Sequence, residues 1–187
     1  MNVKLVNLLQ HRGIIKEEDA ELYLFGFHNL LLDTIYFSAL IVLSLFCGML
    51  VQFMVFWGFY ASLRHFAGGY HADSVTKCFF ITVGIVLLTF GCLEYIRWSS
   101  ALNLSVVFVS AVVILLLAPV ANINKPLDVD ESKVFKRITR IVLLIELIVF
   151  TILLYSGVNQ AANSITLSLA VMAGMLVLGK SKESKVF

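Results

Sequence analysis

Proline and charge are what this chain most lacks. Two prolines and eleven glycines in 187 residues leave little that reads as linker or disordered tail. Only 14% of the residues are charged, 60% are hydrophobic, and the mean hydropathy is +0.94. Soluble domains carry about a quarter charged residues, so the composition points to an integral membrane protein, a single domain over 1–187. The net charge of +2 is small and no basic patch is interleaved with aromatics, which sets nucleic acid aside as a partner. Cysteine is scarce too. Cys47, Cys78 and Cys92 are odd in number, and Cys47 and Cys92 sit in apolar runs, so no disulfide framework is expected. Residues 1–28 contain no continuous apolar stretch ending in a small-residue cleavage site, so no cleavable signal peptide is expected.

What the chain does have is long apolar runs. A helix needs about 20 apolar residues to cross a bilayer. Residues 30–49, 50–63, 79–96, 101–121, 138–156 and 161–179 supply six such runs, the second of them short. Before them, 3–10 has apolar residues at helical spacings and 17–28 opens with an acidic turn, which suggests amphipathic interfacial helices within 1–28. The expected fold is therefore an all-α membrane protein: interfacial helices, a six-span bundle over 29–179 and a tail at 180–187. With both ends cytoplasmic, thirteen of the fourteen basic residues fall inside and Arg97 alone falls outside. Asp33, Glu94 and Glu146 are costly in hydrocarbon. Glu146, nine residues into its span, calls for a buried partner such as a basic residue or an Asn on another helix. Gln52 suits a helix–helix hydrogen bond.

RHFAGGYHADSVTKC, residues 64–78, interrupts the grease with two histidines, a Gly-Gly pair and a thiol. His71 and Cys78 are seven residues apart, about 10 Å along one continuous helix, too far for a hydrogen bond. Gly68 and Gly69 break any helix before His71 and read as a hinge. Asp73 or Ser74 is suited to cap a helix entering the third span. The His71 loop can then fold back towards Cys78 in or just past that helix's first turn. A helix N-terminus, an imidazolium and Lys77 all favour a thiolate, and a histidine can take the thiol proton and return one to a leaving amine. The plainer reading, an inert cysteine and an interfacial anchor, is open on spacing alone. His65, His71 and Cys78 make a poor zinc set, so no metal or cofactor is expected.

The whole pattern is more specific than its spacing. An arginine, then GGYHA, then a cysteine seven residues past the histidine resembles the AgrB family of membrane cysteine endopeptidases of Gram-positive bacteria. APVANINKPL, residues 118–127, is similar to that family's Asn-Lys-Pro loop. The resemblance implies Cys78 as nucleophile and His71 as general base. Arg64, Gly68, Gly69, Asp73, Ser74, Asn124, Lys125 and Pro126 would bind substrate or support the site. It implies an AgrD-like precursor peptide as partner, with an amphipathic leader, a central signal segment and an acidic tail. The tail would be cleaved through a Cys78 thioester, and a cysteine or serine of the peptide would then close a thiolactone or lactone, the autoinducing peptide of quorum sensing. The setting implied is the cell membrane, in contact with lipid, with the site on the cytoplasmic side. The basic loop 122–140 suits an acidic tail, although a cytoplasmic loop is basic in any case. Self-association as a homodimer fits so small a membrane enzyme. The competing classes are a peptide transporter and a membrane scaffold without covalent chemistry, and both should tolerate serine or alanine at position 78.

Overall fold

The computed structural model describes residues 6, 9–70, 72, 74–120 and 128–183. A short 3-10 turn, Glu17–Asp19, leads into α1 (Ala20–Phe46), and five more helices come after it: α2 (Leu50–Ala67), α3 (Val75–Tyr95), α4 (Ser100–Leu117), α5 (Val129–Tyr155) and α6 (Asn159–Glu183). Among the described residues there is no strand. Among the described residues, five helices are long and apolar enough to cross a membrane: α1, α3, α4, α5 from Asp130, and α6 to Lys182. The sixth expected crossing, at 50–63, belongs to α2, which is 18 residues long and runs past its apolar stretch through Arg64 and His65.

The chain divides into two compact units, 1–47 and 48–187. In the first, residues 9–11 are helical and end in a Schellman cap: Ile14 N donates to Leu9 O at 3.0 Å and Gly13 N to Gln10 O at 2.8 Å. The 17–28 stretch does not form a separate interfacial helix. Ala20–Phe46 is one continuous helix of 27 residues, about 40 Å long at 1.5 Å per residue. No proline lies between Glu17 and Leu30, and a lone glycine at 26 costs a helix only about 1 kcal/mol. Nothing in that stretch is strong enough to break it.

The second unit is organised around α6. Its span is 61% buried, against 17% for α3 and 28% for α4. The sequence explains the central place. Ala162, Ser164, Thr166, Ser168, Ala173 and Gly179 keep its surface small, which allows close approach where helices gain no hydrophobic drive from lipid. Polar side chains tie its neighbours to it. Asn103 of α4 donates to Asn163 Oδ1 at 2.9 Å and accepts from Thr166 Oγ1 at 2.6 Å. Gln52 of α2 donates to Gln160 Oε1 at 3.1 Å, the interhelical bond anticipated for it. Buried Phe53, Phe56, Leu63, Ile114, Leu143 and Phe150 fill the space between helices α2, α4 and α5 and this central rod. The apolar residues turned outward, such as Leu88, Phe108, Leu116 and Ile152, are those of a surface made for lipid.

Candidate active site

The polar stretch leaves α2 at Ala67, where the chain turns sharply across α6. Gly68 (φ 72°) and Gly69 (φ 115°) take backbone angles that L side chains rarely adopt. They also have no room for one. A Cβ on Gly68 would overlap the Val120 carbonyl, and a Cβ on Gly69 would meet the Arg64 guanidinium and, at 3.0 Å, the Met175 carbonyl oxygen. The pair is therefore a close-packed crossing and not the hinge read from the sequence. Gly69 is buried.

Three elements hold that crossing. Arg64, in the last turn of α2, donates from Nη1 to Gly68 O at 2.7 Å and from Nη2 to Tyr70 O. A planar guanidinium presents several donors in a fixed fork, so one side chain fixes two carbonyls at once. Tyr70 N donates to Met175 O of α6 at 2.8 Å. This approach is possible because α6 carries glycine one turn later: a Cβ at Gly179 would lie 2.7 Å from Gly69 C and Tyr70 N. Lys182 Nζ stands 5.4 Å from the centre of the Tyr70 ring. The third element is the segment after α4. Val120 N donates to Ala67 O at 2.9 Å, and Gly68 and Val120 form a parallel bridge. The two motifs of the sequence, one around Gly68–Gly69 and one beginning at Ala118, thus meet through backbone hydrogen bonding.

Beyond the crossing, Ser74 starts α3. Its backbone is extended (φ −140°, ψ 149°) and its side chain accepts from Lys77 N at 3.2 Å, a side-chain N-cap. Cys78 lies in the first full turn: its N donates to Ser74 O at 3.0 Å, and its own carbonyl accepts from Thr82 Oγ1 at 2.9 Å. Cys78 is half-buried with a free thiol. Tyr60 is buried on α2, one turn before Arg64. His71, Asp73, Asn124, Lys125 and Pro126 lie outside the described residues.

The sequence pattern does not single out Tyr60, Val120, Met175 or Gly179. Tyr60 is at i−4 from Arg64 and so on its face of α2, a helical signal that could have found it. The other three are brought in by tertiary packing. Glu146 has a partner, but not a basic residue or an Asn: Ser62 of α2 donates to its Oε1 at 2.6 Å.

These features define a helical membrane protein in which a glycine crossing and a capped, thiol-bearing helix start form one polar junction. A family model described as AgrB, accessory gene regulator B, matches residues 3–178, and the chain belongs to that family. Membership implies a role in processing an accessory gene regulator quorum-sensing peptide, with the precursor peptide as partner. No curated protein and no solved structure matches the chain.

Proposed function

We propose that the protein is a membrane cysteine endopeptidase that cleaves the tail from an AgrD-like precursor and supports closure of its ring. The observation that carries this reading is the placement of Cys78: a half-buried free thiol in the first turn of a capped helix, directly after the clamped glycine crossing. His71 is the general base. The Cys78 sulfur attacks the carbonyl carbon at the end of the signal segment, and the C–N bond breaks. The proton held by His71 goes to the departing amine of the tail. The remaining peptide stays on Cys78 as a thioester, which keeps the acyl group activated if water is excluded. A thiol or hydroxyl within the peptide then attacks the thioester carbonyl, closing a thiolactone or lactone and returning the Cys78 thiol.

Arg64, Gly68, Gly69 and Ser74 support this site by fixing the backbone on either side of it. Asp73, Asn124, Lys125 and Pro126 complete it from the two family motifs. The topology is six spans, with α2 as the short second crossing and both termini in the cytoplasm of a Gram-positive cell; the one-sided distribution of basic residues supports it. Lys133, Lys136, Arg137 and Arg140 of α5 line a surface cavity of about 490 Å³ and present positive charge to an acidic tail.

The test is coexpression of the protein with the precursor, followed by mass spectrometry, comparing wild type with Cys78→Ala and His71→Ala. Loss of tail release in both variants, with a wild-type adduct discharged by hydroxylamine, is expected. Normal processing by Cys78→Ala would overturn the mechanism in favour of transport or scaffolding.

A further inference from the structure

The basic face of α5 changes character along its length. Lys133, Lys136, Arg137, Arg140, Ile141 and Leu144 line the surface cavity of about 490 Å³, and all six belong to this one helix. Positions 133, 137, 140 and 144 recur at i, i+4, i+7 and i+11, so the lining is a single stripe about 16 Å long. Its outer end is cationic, and its inner end, at Ile141 and Leu144, is apolar. Those two side chains are 49% and 58% exposed, whereas Thr139, Leu143 and Glu146 on the other side of the helix are buried. The stripe therefore faces outward, where α5 runs into its apolar stretch.

Most of its charge is unpaired. Lys133 pairs with Asp130 at 2.9 Å, one turn further out. Among the described residues, Lys136, Arg137 and Arg140 have no ion-pair partner. The acidic residues of the first turn, Asp130 and Glu131, come nine or more positions before Arg140, about 14 Å along the helix. Lys133 with Arg137, and Lys136 with Arg140, are like charges at i and i+4, which destabilise a helix unless something neutralises them.

We propose that this stripe binds an anionic phospholipid, with its phosphate between Arg137 and Arg140 and an acyl chain along Ile141 and Leu144. The occupant needs negative charge at one end and hydrocarbon at the other, in that order along the helix. A free phosphate leaves the apolar end uncovered. So does an acidic peptide, which meets the stripe from the water side at Lys133 and Lys136. A zwitterionic lipid covers the apolar end but brings its own cation to the arginines. A guanidinium takes two phosphate oxygens at once, and its long stem lets the charge reach a headgroup from a deeper backbone position. Each basic residue near an anionic headgroup strengthens binding about five-fold. The site is separate from Cys78 and stands whether or not the peptidase mechanism does.

The experiment uses the full chain in phosphatidylcholine nanodiscs. These carry a trace of phosphatidylglycerol or, separately, of phosphatidylcholine with a diazirine on one acyl chain. Crosslinks are mapped by peptide mass spectrometry, with the outward residues of α4 around Phe108 as the bulk-lipid reference. Relative to that reference, the glycerol lipid is expected to label 141–148 roughly twenty-fold more than the choline lipid, about five-fold for each arginine. The double substitution Arg137→Gln and Arg140→Gln is expected to erase that preference. Monodisperse elution and an unchanged unfolding temperature identify the variant as folded, and if it does not fold the wild-type ratio decides alone. Equal labelling of the wild type by the two lipids, or an undiminished preference in the folded variant, would overturn the proposal. Loss of the preference on adding equimolar hexaglutamate would assign the arginines to an acidic peptide and overturn it equally.

Discussion

Gly179 of α6 and Tyr70 of the loop after α2 are in contact only because position 179 has no side chain: a Cβ there would stand 2.7 Å from the Tyr70 nitrogen. The same nitrogen donates to Met175 O, one turn earlier on α6. The loop that leads to His71 and Cys78 is therefore seated in a notch on the central helix. Gly179→Val should lift it out and reduce tail cleavage by about a hundred-fold, a near-complete effect of the kind that small misplacements of reacting groups produce. Gly174, also on α6, has nothing within 4 Å of a built Cβ. Gly174→Ala should cleave at the wild-type rate. Cleavage assayed side by side decides the matter, and equal loss in both variants would mean the notch has no special role.

The Arg64 clamp makes a different demand. Two carbonyls, Gly68 O and Tyr70 O, are held by the two terminal nitrogens of one guanidinium. Lysine keeps the charge but offers a single nitrogen, so Arg64→Lys should keep the fold and lose one of the two contacts. Hydrogen bonds to charged groups contribute about 1.5–3 kcal/mol each. Cleavage should fall roughly ten-fold or more for Arg64→Lys and further for Arg64→Ala. A substrate-binding role would raise the apparent KM for the precursor. The clamp as described should lower kcat instead, so a KM-only effect would count against it.

Most of the helices were legible in the chain because hydrophobic runs of the required length have few alternatives in a bilayer. At 17–28 the acidic turn Glu17–Asp19 suggests a short interfacial helix, whereas the helix it opens runs on to Phe46. Ser74 was legible for a local reason: a cap bonds to its own helix three residues on. The glycine pair was legible as a helix break and misleading as a hinge. Whether a glycine marks mobility or close approach depends on what crosses it, and here that is Val120 and α6, 52 and more residues away. Glu146 announced itself by its cost, whereas Ser62 did not, since a serine in a span raises no alarm.

Ser74 supports a stability prediction that is independent of catalysis. Removing an N-cap side chain costs about 1 kcal/mol, and aspartate caps as well as serine. Ser74→Ala should therefore speed amide hydrogen exchange at 75–78 by several-fold, and Ser74→Asp should restore it. Exchange in α6, which the cap does not touch, serves as the internal reference. Uniform acceleration across both helices would mean that the substitution loosens the whole bundle rather than the first turn bearing Cys78.

The polar triad of Asn103, Asn163 and Thr166, of which Asn103 and Thr166 are buried, should be felt at the other end of the bundle. Asn103 is 2% exposed and uses both ends of its amide, donating to Asn163 and accepting from Thr166. Asn103→Ala leaves both partners short of a hydrogen bond. Interhelical side-chain bonds of this kind are worth about 0.6–2 kcal/mol apiece in membranes, so the variant should unfold at measurably lower detergent denaturant. Thr166 keeps its second bond, to Ala162 O at 3.0 Å, inside its own helix. Thr166→Val, similar in shape and lacking only the hydroxyl, should therefore cost less than Asn103→Ala. The double variant should cost less than the sum of the two, because each removes the same Asn103–Thr166 bond. Strict additivity, measured by unfolding in mixed micelles, would show that this bond contributes nothing to holding α4 on α6.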